Sequence, residues 1–321
     1  MRELRRTFDS LSCVHNFKGG LHSMRIAALA ALASLVLATA AGAEPRPSAY
    51  VVPGPAVFPE GVAFQPSTGA FFVTSTSDGT IFRGHVSEST TEIFLPGGED
   101  GRTTAIGLEV DDTRLYVAGG ATGRLFVYDT ETKALLASFA TGTGGFLNDI
   151  ATTKSGDAFV TDSMRPTLWR ISADLTTVEP WLDFTGTPAA YTPGFNLNGI
   201  VATPDGKYLI VAKSNTAELF RIDLATKEVV EITTDEPTGG DGLQLQGHTL
   251  YAIAGGAIVE VRLSGDYTSG DVVSRTTDPS FRSPTTNAIA RGRMLVVNSQ
   301  FAQRPTGTQV LPFTVSSVAI P

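Results

Sequence analysis

The strongest constraint on this chain is a module of about forty-five residues that recurs along most of its length. The clearest copy begins at Asn198 and reads N-G-I-V-A, T-P-D-G-K, Y-L-I-V-A-K-S, A-E-L-F-R-I-D and A-T-K-E-V-V-E-I. That is four short runs of β-branched, aromatic and aliphatic residues separated by turn formers. The same order follows Glu60 (G-V-A-F), Ile106 (G-L-E-V), Asn148 (D-I-A-T), Asp241 (G-L-Q-L) and Thr286 (N-A-I-A). The third runs also match one another, as I-F-R-G from Ile81, L-F-V-Y from Leu125, L-W-R-I from Leu168, L-F-R-I from Leu219 and I-V-E-V from Ile258. Successive starts lie 46, 42, 50, 43 and 45 residues apart.

A lone four-stranded sheet cannot bury both of its faces, whereas radial stacking closes a ring in which each face meets a neighbour. The spacing therefore predicts an all-β fold, a six-bladed β-propeller of four-stranded antiparallel blades. A tryptophan-aspartate repeat is excluded, because no G-H and W-D pair recurs and Trp169 and Trp181 fall in one module. The last module offers three strands only, ending in P-F-T-V-S-S-V-A-I. Ala49 to Val52 is expected to add the fourth and close the ring.

Residues ahead of the first module read as a targeting segment. Met24-Arg25, an apolar run from Ile26 to Ala41 and the small-residue site Ala41-Gly42-Ala43 make residues 1–43 a signal-peptide region cleaved after Ala43, with Met24 the expected start. Sixteen residues interrupted by Ser34 and Thr39 are short for a bilayer span. The expected product is one propeller domain, 44–321, secreted or periplasmic, monomeric and not embedded in a membrane. Cleavage removes five basic and two acidic residues, leaving 19 basic against 30 acidic. Such a balance argues against nucleic acid as a partner. Cys13, the single cysteine, goes with the leader, so neither a disulfide scaffold nor thiol catalysis is available. Of four histidines only His85, just beyond a third run, and His248, in a hairpin turn, remain, and both are expected at the surface.

In a propeller the innermost strands line the axis, so equivalent starting residues converge. They are Glu60, Ile106, Asn148, Asn198, Asp241 and Thr286. Four of the six carry a carboxylate or amide oxygen, and the set Glu60, Asn148, Asn198 and Asp241 contains only hard oxygen donors with a charge of −2. Such donors suit Ca²⁺ better than zinc or copper, and four of them leave coordination positions for water or a substrate. Each also has a plainer explanation. Glu60 follows a proline at a turn, the two asparagines could satisfy strand ends, and Asp241 lies in a G-G-D-G loop.

With these residues in place, the chain resembles the senescence-marker-protein/gluconolactonase family of six-bladed calcium propellers, which is itself similar to diisopropyl fluorophosphatase and the paraoxonases. Pro59-Glu60-Gly61, Asn148-Asp149, Asn198-Gly199 and Asp241-Gly242 carry the resemblance. It implies that Glu60, Asn148, Asn198 and Asp241 hold one catalytic Ca²⁺ and that Asp241 acts as general base or nucleophile. Coordination would also make Asp241 a weaker base. Fluorophosphatase-like relatives place a second calcium in the channel through an aspartate and a histidine, and here those places hold Gln244 and Thr286. A second ion is accordingly not expected. Asp149, by strand alternation, is expected to face away from the axis in a structural role, and Trp169 to sit in the core between blades. Tyr191, Phe195 and Phe146 either form an apolar rim at the mouth or simply cover the end of the ring.

The resemblance implies a secreted calcium-dependent hydrolase of lactones or related esters, with phosphotriesters as a side activity. The alternative is a non-catalytic exported propeller that serves as a binding platform. A strictosidine-synthase-like condensing enzyme would share the architecture, but no further acidic residue is placed for it.

Overall fold

Short runs of alternating burial, punctuated by turns, leave no stretch in which a helix could outcompete a strand. The computed structural model describes residues 46–321, and the expected signal segment lies outside them. Strand β1 (Ala49–Val52) opens the described chain. The first meander is β2 (Pro59–Gln65), β3 (Ala70–Ser75), β4 (Ile81–His85) and β5 (Glu92–Leu95), and the second is β6 (Leu108–Asp111), β7 (Arg114–Ala118), β8 (Arg124–Asp129) and β9 (Leu135–Ala140). The third comprises β10 (Leu147–Thr152), β11 (Ala158–Asp162), β12 (Thr167–Ile171) and β13 (Val178–Asp183). The fourth is β14 (Leu197–Ala202), β15 (Tyr208–Lys213), β16 (Glu218–Asp223) and β17 (Val229–Thr234). The fifth is β18 (Leu243–Gln246), β19 (Thr249–Ala254), β20 (Ala257–Leu263) and β21 (Ser269–Thr276), and the sixth is β22 (Pro284–Ala290), β23 (Arg293–Asn298) and β24 (Phe313–Ala319). Among the described residues the only helical pieces are two 3₁₀ turns, and no helix is long and apolar enough to cross a membrane.

The expected closure is present. β1 pairs antiparallel with β24, Tyr50 opposite Val315 and Val52 opposite Phe313, and completes the sixth meander from the other end of the chain. The expectation of six separate blades needs correction. Four meanders are separate four-stranded sheets, but the fourth and fifth join into one eight-stranded sheet through parallel pairing of β17 with β21 at Thr233–Ser269 and Thr234–Gly270. The cause lies on the outer edge. β21 runs for eight residues, its Val272 amide donates to Asp235, and Arg275 pairs with Glu236, so the two edges are drawn together.

Apolar side chains from successive meanders interlock around the ring. Phe72 and Phe94 of the first meet Leu115 and Phe126 of the second, which in turn packs Tyr116 and Leu125 on Ile150 and Val160 of the third. Phe159 and Trp181 face Leu209 and Phe220, Ile210 and Leu219 face Leu250 and Val259, and Tyr251 and Ile258 face Met294 and Val296. Closure comes where Val297, Phe313 and Val315 of the sixth meander meet Val62, Phe71 and Phe82 of the first, with Tyr50 and Val52 from β1 among them. The fold is thus a propeller-like ring of sheets. Trp169 packs, as expected, against the cluster between the second and third meanders. Both histidines are peripheral, His248 stacked on Tyr267 at 4.6 Å and His85 bonded to Ser87 at 2.6 Å.

Tyr50 couples the two ends of the chain. It is buried, sets its ring edge-on to Phe71 at 4.7 Å and donates its hydroxyl to the Val86 carbonyl at 3.1 Å. Tyr50→Ala is expected to destabilise the ring by about 3 to 5 kcal/mol, the usual cost of truncating a buried aromatic. Urea unfolding of the purified domain would measure it, and a change under about 1 kcal/mol would contradict this role for the closing strand.

Candidate functional site

At the start of each inner strand two residues face one on the neighbouring strand. The register shifts between Pro59 and Val62, Leu147 and Ile150, Leu197 and Ile200, and Pro284 and Asn287. In the second meander Ile106 N–H donates to the Ala118 carbonyl at 2.8 Å while Ala118 N–H donates to Gly107 at 3.0 Å, and Asp241 and Gly242 repeat the pattern around Ile253. A bulge of this kind breaks the two-residue period and re-aims a side chain. The six aligned positions therefore stand at one end of the ring.

Glycine follows four of them, and close approach explains why. A Cβ on Gly199 would lie 2.2 Å from the Asp241 carbonyl oxygen, and one on Gly242 would lie 2.6 Å from the Thr286 Cα. Adjacent inner strands consequently come near enough to be tied by hydrogen bonds. Thr74 Oγ1 accepts from Gly61 N–H and donates to the Ile106 carbonyl at 2.7 Å, and Gly107 N–H donates to Asn148 at 2.9 Å. Thr161 Oγ1 donates to the Asn198 carbonyl at 2.7 Å, and Ser214 Oγ to Gly240 at 3.0 Å. Gly242 N–H donates to Thr285 at 2.9 Å, and the Thr285 and Thr286 hydroxyls return to the Glu60 carbonyl at 2.8 and 2.6 Å. The circuit closes.

Glu60 is 4% exposed, and its Oε2 has no hydrogen-bond partner among the described residues. Burial first, then the negative charges of Asp241 and Asp149, hold its carboxyl well above the usual range. Burial pushes Asp241 up to about 7, opposed by a hydrogen bond with the Asn198 side chain. Asn148 gives its Nδ2 to Ser163 Oγ at 2.9 Å and leaves Oδ1 unpartnered, while Asn198 gives Nδ2 to Ser214 Oγ at 3.1 Å. Glu60 and Asp241 are thus near enough for their charges to oppose one another, and Asn148 and Asn198 stand on the same hydrogen-bonded circuit. Ile106 is buried and supplies no donor oxygen, and the Thr286 hydroxyl is committed to the Glu60 backbone.

No ion pair among the described residues reaches Glu60, Glu109, Asp149 or Asp241. A buried carboxylate oxygen and a buried amide oxygen, each without a partner, cost free energy that a hard cation would recover. Among the described residues no group of three His, Cys, Asp or Glu side chains is placed to hold a metal ion by itself. A cation held here would thus draw on two carboxylates and complete its shell with amide oxygens, and the donor set fits that requirement.

Asp149 departs from expectation. The bulge between Leu147 and Ile150 cancels the alternation that would turn it from the axis. Its carboxylate accepts from Ile150 N–H at 2.9 Å and Ile200 N–H at 3.2 Å, clamping the third meander to the fourth, and it lines an axial cavity. This cavity of about 140 Å³ is also lined by Glu109, Thr152, Gln244 and Asn287. Glu109 is half-buried and faces this channel space. Burial, with the charges of Asp149 and Asp111, pushes its carboxyl up to about 8, and burial raises Asp149 to about 7.

Sequence reasoning passed over Ser163 and Ser214, although their signal was present. Thr161-Asp162-Ser163, Ala212-Lys213-Ser214 and Val297-Asn298-Ser299 repeat at the end of the second strand, and the first two serines orient the site amides. Of the three mouth aromatics, Tyr191 turns inward, stacking on Phe184 at 6.2 Å and donating its hydroxyl to the Asp162 carbonyl. Phe146 and Phe195 meet edge to face at 4.9 Å.

No protein-family model matches the chain, and no curated protein matches it. Solved structures do. It is similar to the allergen Mala s 1 of Malassezia sympodialis, with 14% identity and a TM-score of 0.66 over 85% of this chain and 96% of that one. It is similar also to regucalcin, a calcium-binding protein of Agrobacterium tumefaciens, at 18% identity and a TM-score of 0.62 over 86% and 96%. A gluconolactonase from Xanthomonas campestris matches at 14% identity and a TM-score of 0.60 over 83% and 87%. The chain therefore belongs by fold with the propeller-like rings of regucalcin and the gluconolactonases.

The raised carboxyls set a sign for stability. Asp149, Asp241 and Glu109 keep protons in the folded chain up to about pH 7 to 8 that the unfolded chain releases near its ordinary values of 3.8 and 4.5. Their contribution is full below the unfolded values and is lost as pH rises through the folded ones. With chelator present, the melting temperature is expected to fall between about pH 5 and 8, and Glu109→Gln should flatten the slope. A rising or unchanged profile would contradict the burial of these groups.

Proposed function

We propose that this chain is an exported, monomeric, calcium-dependent hydrolase of lactones or related esters, its eight-stranded sheet counting as two of six blades. One observation carries the reading: Glu60 Oε2 and Asn148 Oδ1 are buried without partners at the end of a ring that supplies no countercharge to its carboxylates. Glu60, Asn148, Asn198 and Asp241 would hold Ca²⁺, and the fold shared with a calcium-binding regucalcin and a gluconolactonase supports this choice. Bound there, the ion would supply Lewis-acid polarisation of a carbonyl oxygen.

The roles of the side chains follow from their exposure. Glu60 is buried and confined to holding, whereas Asp241 is only half-buried, on a glycine-flanked segment, and can meet a substrate. Asp241 takes a proton from water as the water oxygen attacks the carbonyl carbon. The ring C–O bond then breaks, and the proton passes to the departing alkoxide to give the hydroxy acid. Ser163 and Ser214 accept from the Nδ2 groups of Asn148 and Asn198, which leaves the two amide oxygens for the ion. Two carboxylates with no paired cation also favour export, since extracellular calcium is plentiful.

Calorimetric titration of the mature chain with Ca²⁺ is expected to show one site weakened by both Glu60→Gln and Asp241→Asn, with lactone turnover lost in Asp241→Asn. Ser163→Ala and Ser214→Ala should each weaken binding by about tenfold, as loss of an orienting partner does. A folded protein that binds no calcium, or an Asp241→Asn variant as active as wild type, would overturn the reading. Calcium-independent folding with no turnover across a lactone and ester panel would favour a binding platform instead, an alternative to which the donorless Ile106 position lends support.

A further inference from the structure

The mouth of the ring is chemically lopsided. In the third and fourth modules Ser163 and Ser214 stand just after the second strand, three residues beyond Val160 and Val211, and the aligned place in the second module, three beyond Val117, is Gly120, preceded by Gly119. No hydroxyl stands there, and the aligned axial residue is Ile106 rather than an oxygen donor. Ile106 and Phe146 both border Gly120: a single Cβ there would fall 2.9 Å from Ile106 Cγ1 and 3.4 Å from Phe146 Cε2. Phe195 adds its edge-to-face contact with Phe146 and remains 44% exposed, and Met164, on the adjoining loop, is 50% exposed. Across the mouth the surface is polar. Arg304 lies over the Phe58 ring at 5.0 Å and reaches Thr76 at 3.2 Å, beside the strand that carries Glu60.

Phe195 is held out rather than left loose. Asn196 is 2% exposed, accepts from Thr192 N–H at 2.9 Å and donates to the Thr192 and Gly194 carbonyls at 2.9 and 2.8 Å. Asn215 fastens the same turn through Thr192 and Pro193, and Lys213 Nζ donates to Ala190 at 2.8 Å. A large apolar ring fixed at the surface by a buried amide, three residues before Asn198, presents a preorganised contact.

We propose that the substrate carries an apolar acyl or alkyl chain, which lies on Phe146 and Phe195, backed by the buried Ile106, while its carbonyl faces Asp241. This substrate class rests on the hydrolase reading above. Phe195 serves as a specificity residue for chain length. Burying a methylene against such a wall is worth about twofold to fourfold in kcat/KM, less than the full transfer effect because the wall covers one side only.

The test uses the mature chain with calcium, δ-lactones bearing propyl to heptyl chains, and the matching δ-lactams, which bind without hydrolysis. For wild type, kcat/KM is expected to rise about twofold to fourfold per methylene, and the heptyl lactam should bind more tightly than the propyl lactam in the same proportion. Phe195→Ala should cut the heptyl-to-propyl ratio at least about tenfold in both readouts, and Phe195→Leu should restore part of it. Calcium-dependent turnover with no chain-length preference would overturn the wall and leave the hydrolase reading standing. If no lactone is hydrolysed, the hydrolase reading fails and lactam binding decides the wall. A heptyl preference lost in Phe195→Ala would support it, and equal or absent lactam binding would overturn it.

Discussion

Close approach of neighbouring inner strands at the axis is the constraint on which the rest of this ring depends. Side chains at Gly199 and Gly242 would collide with the next strand, and their absence lets hydroxyls and amides join every meander to its successor in a closed circuit. The apolar clusters between sheets supply most of the stabilisation, but they are tolerant of small shifts. Directional bonds at the axis are not, and they set the level at which the six aligned residues stand.

Electrostatics follows from that geometry. Bringing Glu60 and Asp241 toward one axis, with Asp149 and Glu109 lining the channel, concentrates acid where no ion pair among the described residues offsets it. A fold selected for stability alone would replace such groups with apolar ones. Their retention, with the amides of Asn148 and Asn198 turned by two serines, is what a bound cation would justify. The second module departs from this polar pattern, with Gly120 and the buried Ile106 where other modules place a hydroxyl and an oxygen donor.

Periodicity made much of this legible. The positions of the inner strands, the closing role of Ala49 to Val52 and the aligned set from Glu60 to Thr286 all follow from spacing and residue type. The serines at 163 and 214 were equally visible as a repeat, yet their importance depends on where the asparagine amides point. Asp149 was misplaced because a two-residue period was assumed through a bulge. Tyr191 and Phe195 lie four residues apart in one loop and turn opposite ways, one inward to Phe184 and one outward, which loop composition does not encode.

The sequence by itself determined the strand order, the ring and the identity of the axial residues, because hydrophobic period and turn chemistry are local and repeat with each module. Only the tertiary structure decided which oxygens are left unpartnered, which loop aromatics are exposed and how the fourth and fifth meanders join at their outer edge. Those features depend on groups far apart in the chain being placed to within a few tenths of an ångström, and a linear pattern carries no record of such distances.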